Sequence, residues 1–108
     1  LEQEYMPFRH YDNQSFLSEG RFWQRQTHIY KWPFYYIDYV LAQTCAFMYK
    51  IRMEEDRQAA WESYLRLCQL SACKFYSDML HTVGLEVPYE EGCIARMAEK
   101  LEELRKKM

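Results

Sequence analysis

Between Phe34 and Tyr49 thirteen of sixteen residues are apolar or aromatic, and they fall on every side of a helical wheel. A helix patterned this way is predicted to be buried all round. The pattern then narrows. From about 57 to 70, Ala60, Trp61, Tyr64, Leu65, Leu67 and Cys68 share one side and Arg57, Gln58, Glu62, Ser63 and Arg66 the other, which predicts a helix packed on one face. A further helix, about 72 to 83, carries Phe75, Tyr76, Met79, Leu80 and Val83 and stops at Gly84, with Leu85 as the apolar residue that follows a glycine cap. After Pro88, Ile94, Met97, Leu101, Leu104 and Met108 recur at three-four spacing, with acids in the first turn and Arg105, Lys106 and Lys107 in the last. That run holds only two heptads, so it predicts a terminal helix docked on the body and not a coiled coil.

The N-terminal third is less regular. Past Met6-Pro7-Phe8, the cluster Asp12-Asn13-Gln14-Ser15 offers a cap for a first helix through Phe16, Phe22, Trp23 and Gln26 to about His28, weakened in its middle by Gly20. Pro33 suits a first helical position and pushes Trp32 toward an extended conformation, so 29 to 32 are expected to form a loop. The fold class is all-α, about five helices in a single segment 1–108, without internal repeats. The apolar helix is too short for a membrane span and carries Asp38, with Lys50 and Arg52 following. Little of a 108-residue chain remains to cover it, which predicts a larger partner or further domain that does.

Charge changes the picture by exclusion. Fourteen basic and sixteen acidic residues leave a net −2, with no electrostatic footprint for nucleic acid or an anionic membrane. The chain opens Leu1-Glu2-Gln3-Glu4-Tyr5 without a basic-then-apolar leader, and reads as part of a longer protein. Cys45, Cys68, Cys73 and Cys93 lie in helical patterns and are expected as reduced, buried thiols. Cys68 and Cys73 with His81 nearby lack the second ligand pair that a zinc site needs.

Candidate chemistry concentrates in His28-Ile29-Tyr30-Lys31-Trp32-Pro33-Phe34-Tyr35-Tyr36-Ile37-Asp38-Tyr39. Imidazole and phenol groups at a loop-to-helix junction are donors suited to a carbonyl oxygen that gains charge during reaction. The same residues also suit a purely structural role, rings packed and hydroxyls satisfied, and spacing alone leaves both readings open. Tyr36 and Tyr39, three apart, would share a helix face. Asp38 reads either as the ion-pair partner of an arginine such as Arg25, the reading preferred here, or as a residue turned to a channel. Neither a nucleophile elbow, a phosphate loop nor a His-Glu-x-x-His pair occurs in the chain.

The run Phe22-Trp23-Gln24-Arg25-Gln26, then His28-Ile29-Tyr30, Pro33-Phe34-Tyr35-Tyr36-Ile37-Asp38-Tyr39 and Leu41-Ala42-Gln43, resembles the C-terminal part of oligoendopeptidase F-like zinc metallopeptidases, relatives of thimet oligopeptidase. The stretch Glu55-Asp56 to Trp61 and the region from Gly84-Leu85 to Pro88-Tyr89-Glu90-Glu91-Gly92 continue the likeness along essentially the whole chain. The resemblance implies a helical peptidase that encloses short peptides in a channel and hydrolyses them at one zinc ion. Its ligands come from a His-Glu-x-x-His helix and a downstream glutamate. Those elements are absent from this sequence, so zinc is expected in the full-length enzyme and none on this chain, which alone is expected to be inactive.

What the resemblance assigns to this segment is the wall opposite the metal. His28 fits the family's substrate-steadying histidine, and Tyr36 and Tyr39 fit its pair of oxyanion donors. Tyr35 is the substitute candidate because the intervening loop is shorter and lacks the relatives' glycines. Peptide substrates and the N-terminal part of the same enzyme are the implied partners, and cytoplasm the implied compartment. Two other readings stand beside this one: a stand-alone helical protein-interaction domain, and a fragment whose helices reassemble as a homo-oligomer.

Overall fold

The computed structural model describes residues 1–70 and 73–107. Among them the chain is helical with no strand, in six α-helices: α1 Glu2–Tyr5, α2 Thr27–Lys31, α3 Ile37–Glu55, α4 Arg57–Leu70, α5 Tyr76–Thr82 and α6 Cys93–Lys107. They fall into two compact units, Leu1–Ile37 and Asp38–Met108. No helix among the described residues is long and apolar enough to cross a membrane.

In the first unit the expected helix to His28 is broken. Asp12 and Asn13 take left-handed backbone angles, φ 40° and 66°. Gly20, at φ 78°, then interrupts the helical run, leaving a π-helical turn over Leu17–Arg21 and a 3-10 turn over Phe22–Arg25. Glycine adopts that angle without a Cβ penalty, so it breaks the helix here instead of merely weakening it. Phe22 anchors the unit: the Arg9 guanidinium lies 4.3 Å and that of Arg25 5.5 Å from its ring centre, with Tyr11 at 6.0 Å.

His28 therefore begins again in α2, and residues 29 to 31, expected as loop, are helical. Pro33 does not open the next helix either. It sits in a turn over residues 33 to 36, and α3 starts at Ile37.

The second unit holds the core. Met48, Tyr49, Leu80, Val83, Leu85, Val87 and Cys93 form one buried cluster, with Cys45, Leu67, Leu70, Tyr76 and Met97 packed against it. Within α3 the buried residues are Thr44, Met48, Tyr49 and Ile51, whereas Ile37, Tyr39 and Val40 in its first turns are exposed. Burial all round therefore does not hold for this chain by itself; the buried positions lie from Thr44 onward on one side of the helix, while Phe47 and Lys50 stay exposed. Helix α4 matches its predicted limits, but its apolar side is not packed as expected: only Ala60 is buried, Trp61, Tyr64, Leu65 and Cys68 are exposed, and Ser63, expected on the polar side, turns inward. Its hydroxyl lies 3.2 Å from that of Tyr49 and donates to the Val83 carbonyl at 3.1 Å.

Ala72, where sequence starts the next helix, lies outside the described residues, as does Met108. Helix α5 begins at Tyr76, and Phe75, expected in the core, is exposed. The stop is as expected. Gly84, at φ 73°, donates to the His81 carbonyl at 3.0 Å, and Leu85 donates to that of Leu80 at 2.8 Å. Those two bonds and the buried Leu80 and Leu85 side chains make a Schellman closure with its apolar contact. Helix α6 starts at Cys93, after Glu90 and Glu91, so the expected first-turn acids precede it. No disulfide joins the four cysteines, but Cys68 and Cys73 are exposed, and of the four only Cys93 is fully buried.

Candidate functional site

Helix α2 is five residues long and places His28 at its second position. The Trp32 N–H donates to the His28 carbonyl at 3.0 Å and closes the last turn. From there the chain doubles back. Phe34 takes φ 68°, a left-handed angle, and the Tyr35 N–H donates to the Trp32 carbonyl at 3.2 Å. A chain reversal at this point returns the next two tyrosines toward the helix it has just left.

The outcome is an aromatic cluster on one imidazole. Tyr36 lies 5.4 Å from the His28 ring centre at 53°, Tyr35 is stacked on it at 6.3 Å and 17°, and Trp32 is tilted against it at 5.9 Å and 47°. These separations fall in the range of favourable aromatic pairs. His28 is half-buried, while Tyr35 and Tyr36 keep about half of their surface open. A constellation of this kind offers an imidazole and two phenols, each able to donate a hydrogen bond, from a surface a ligand can reach.

The sequence candidates are thus partly gathered. His28, Tyr35 and Tyr36 come together in the first unit, whereas Tyr39 stands in the first turn of α3, in the second unit. Tyr36 precedes that helix, so the shared-face argument for Tyr36 and Tyr39 does not apply in its helical form. Asp38 also sits in the first turn of α3, where a carboxylate meets the positive end of the helix dipole. Trp32 was missed. Its signal was the four-residue spacing from His28, which would have been visible had the helix been extended through Lys31.

No three His, Cys, Asp or Glu side chains converge among the described residues in a way that could hold a metal ion. His81 lies instead 3.4 Å from Glu90 in an exposed pair. A cavity of about 370 Å³ in the second unit is lined by Arg52, Glu86, Cys93, Arg96 and Lys100, but its charges already have partners. Arg96 bonds both oxygens of Glu86, Lys100 pairs with Glu55, and Arg52 is held by the Val83 and Gly84 carbonyls.

No protein-family model and no curated protein matches the chain. Solved structures do match it. One is of an oligoendopeptidase F and another of PZ peptidase A with an inhibitor; each is 40% identical and superposes with a TM-score of 0.85 over 99% of this chain. The chain spans 19% of the length of each. Alike in fold and in two-fifths of its residues across 99% of its length, this chain matches a segment of an oligoendopeptidase F-like peptidase.

Proposed function

We propose that this segment is the substrate-binding wall of a zinc metalloendopeptidase acting on short peptides. In this reading His28 and Tyr36 donate hydrogen bonds to the peptide carbonyl and to the oxyanion that forms when the bond is attacked, and Tyr35 lines the same face; Tyr39, in the second unit, is a separate candidate donor. The observation that carries it is the gathering of Tyr35 and Tyr36 on the His28 imidazole by the reversal at Phe34. Half-open donors held in place by ring contacts are what differential stabilisation of a developing charge requires. The 40% identity to an oligoendopeptidase F and to a PZ peptidase supports the same reaction class.

Among the described residues no group of side chains could hold a metal ion. In this reading the zinc is held by residues outside these 108, and no role given to His28 or the tyrosines depends on a bond to it. Cytoplasm is the compartment proposed, where Cys45, Cys68, Cys73 and Cys93, none in a disulfide, would stay reduced.

The test is a quenched fluorescent peptide with the full-length protein that contains this segment. Cleavage is expected to be abolished by a chelator and restored by zinc. In His28→Ala, kcat should fall on the order of a hundredfold or more, the scale of losing one oxyanion donor. Cleavage at the wild-type rate by His28→Ala and Tyr36→Phe would overturn the assignment.

A further inference from the structure

Helix α2 has a single turn and a half in which to fix the side chain on which the proposed site depends. Helices so short are marginal in water, so their own backbone does not hold a ring in one orientation. Something else must. Trp32 does two things at once: its N–H closes the turn on the His28 carbonyl at 3.0 Å, and its indole rests 5.9 Å from the imidazole centre, tilted by 47°. Trp32 caps the helix, and the bond that closes the turn leaves its ring beside that of His28. Within this segment Trp32 keeps 55% of its surface open.

We propose that Trp32 is a positioning residue: its indole, packed against the His28 imidazole, sets the orientation in which His28 donates to the substrate. It touches the histidine and not the reacting atoms, so its effect passes through His28. Tyr35 and Tyr36 contact the same imidazole from the turn that follows, and they are read as facing the peptide. This inference rests on the reading of His28 given above, and the experiment separates the two.

In the full-length peptidase, kcat and KM are measured for His28→Ala, Trp32→Leu, Trp32→Phe and the double variant His28→Ala/Trp32→Leu, with a thermal midpoint for each. Trp32→Leu is expected to lower kcat on the order of tenfold to a hundredfold, the scale of a misplaced catalytic group, while KM and the midpoint stay near wild type. Trp32→Phe, which keeps a ring against the imidazole, should recover most of that loss. The double variant should be no slower than His28→Ala alone, because an orienting residue has nothing to orient once the imidazole is gone. Losses that multiply in the double variant, a change confined to KM, or an unaltered kcat in Trp32→Leu would each overturn the inference. Full activity in His28→Ala overturns the functional reading itself and the inference with it. Should Trp32→Leu fail to fold, Trp32→Phe against Trp32→His decides: equal kcat values in the two overturn the inference, and a graded loss supports it.

Discussion

At Phe34 the chain accepts a left-handed backbone angle, φ 68°, on a residue that carries a Cβ and a ring, and 94% of that residue remains exposed. For an L-residue the angle costs roughly 1–2 kcal/mol, and burial of the ring does not offset it. Glycine would remove the strain but would also loosen the unfolded chain, an opposing effect of about 0.4–1 kcal/mol. Phe34→Gly is therefore expected to be neutral or to stabilise by up to about 1.6 kcal/mol, while Phe34→Val, with a branched Cβ at the same angle, destabilises. Urea midpoints of the two variants check the order. A reversed order would mean that the Phe34 ring contributes packing that outweighs its backbone angle. Two residues further on, the prediction concerns rate instead. Tyr36→Phe should lower kcat of the full-length enzyme by a factor on the order of a hundred, about 3 kcal/mol, with the thermal midpoint unchanged. Tyr39→Phe measured alongside tests whether either phenol makes the proposed donation; a parallel loss of stability in either would return that tyrosine to a packing role.

Among the elements, those built on packing were legible and those built on a backbone exception were not. Helix α4 was legible to its limits because one apolar side and one polar side suffice to define it, and the end of α5 because Gly84 and Leu85 carry a complete stop signal. The break at Gly20 was legible only as weakness, since a glycine inside a helical pattern can be tolerated or can turn left-handed, and local sequence does not choose. The delay of α3 from Pro33 to Ile37 depends on Phe34, a residue type that gives no warning of a positive φ. That same delay hid the site, because it moved Tyr36 off the helix and onto His28. The end of α5 supports a further test. Arg52 donates from Nη1 to the Val83 carbonyl at 2.9 Å and from Nη2 to that of Gly84, and a Cβ at Gly84 would meet that Nη2 at 3.3 Å. Gly84→Ala thus adds left-handed strain and crowds the guanidinium, for an expected loss of about 1–2 kcal/mol. Arg52→Met, which strips a charged donor from two carbonyls, should cost about 1–3 kcal/mol. Because both substitutions act on one closure, their combined effect in denaturant midpoints should be less than the sum.

For the molecule as a whole, the contrast lies between an open aromatic surface and a small closed core. Trp61, Tyr64 and Leu65 on α4, with Tyr39, Val40 and Phe47 on α3, stay substantially exposed, which accords with a chain that spans 19% of the solved relatives. Stability in the second unit then falls on few residues, and several of them are weak acids. Burial raises the Tyr76 phenol above its ordinary range, helped by its contact with Cys45 Sγ at 3.1 Å; burial likewise raises Tyr49 and the Cys93 thiol. The direction fixes the sign. A group whose folded pKa is raised holds its proton more tightly in the folded state, so its contribution is complete below the unfolded pKa and is lost as pH rises through the folded one. The loss begins near about pH 8.5 for the thiol and about pH 10 for the phenols. Exposed pairs such as Lys100 with Glu55 add little, because ion pairs of that kind contribute at most about 1 kcal/mol. The thermal midpoint, followed by circular dichroism from neutral to strongly alkaline pH, should therefore be level at first, decline through the thiol range and steepen above about pH 10. Tyr76→Phe should remove part of the steep portion and leave the earlier decline in place. If the midpoint stays level into the phenol range, these groups ionise as readily in the folded chain as in the unfolded one, and the closed core around Cys93 and Tyr76 is not what holds the second unit together.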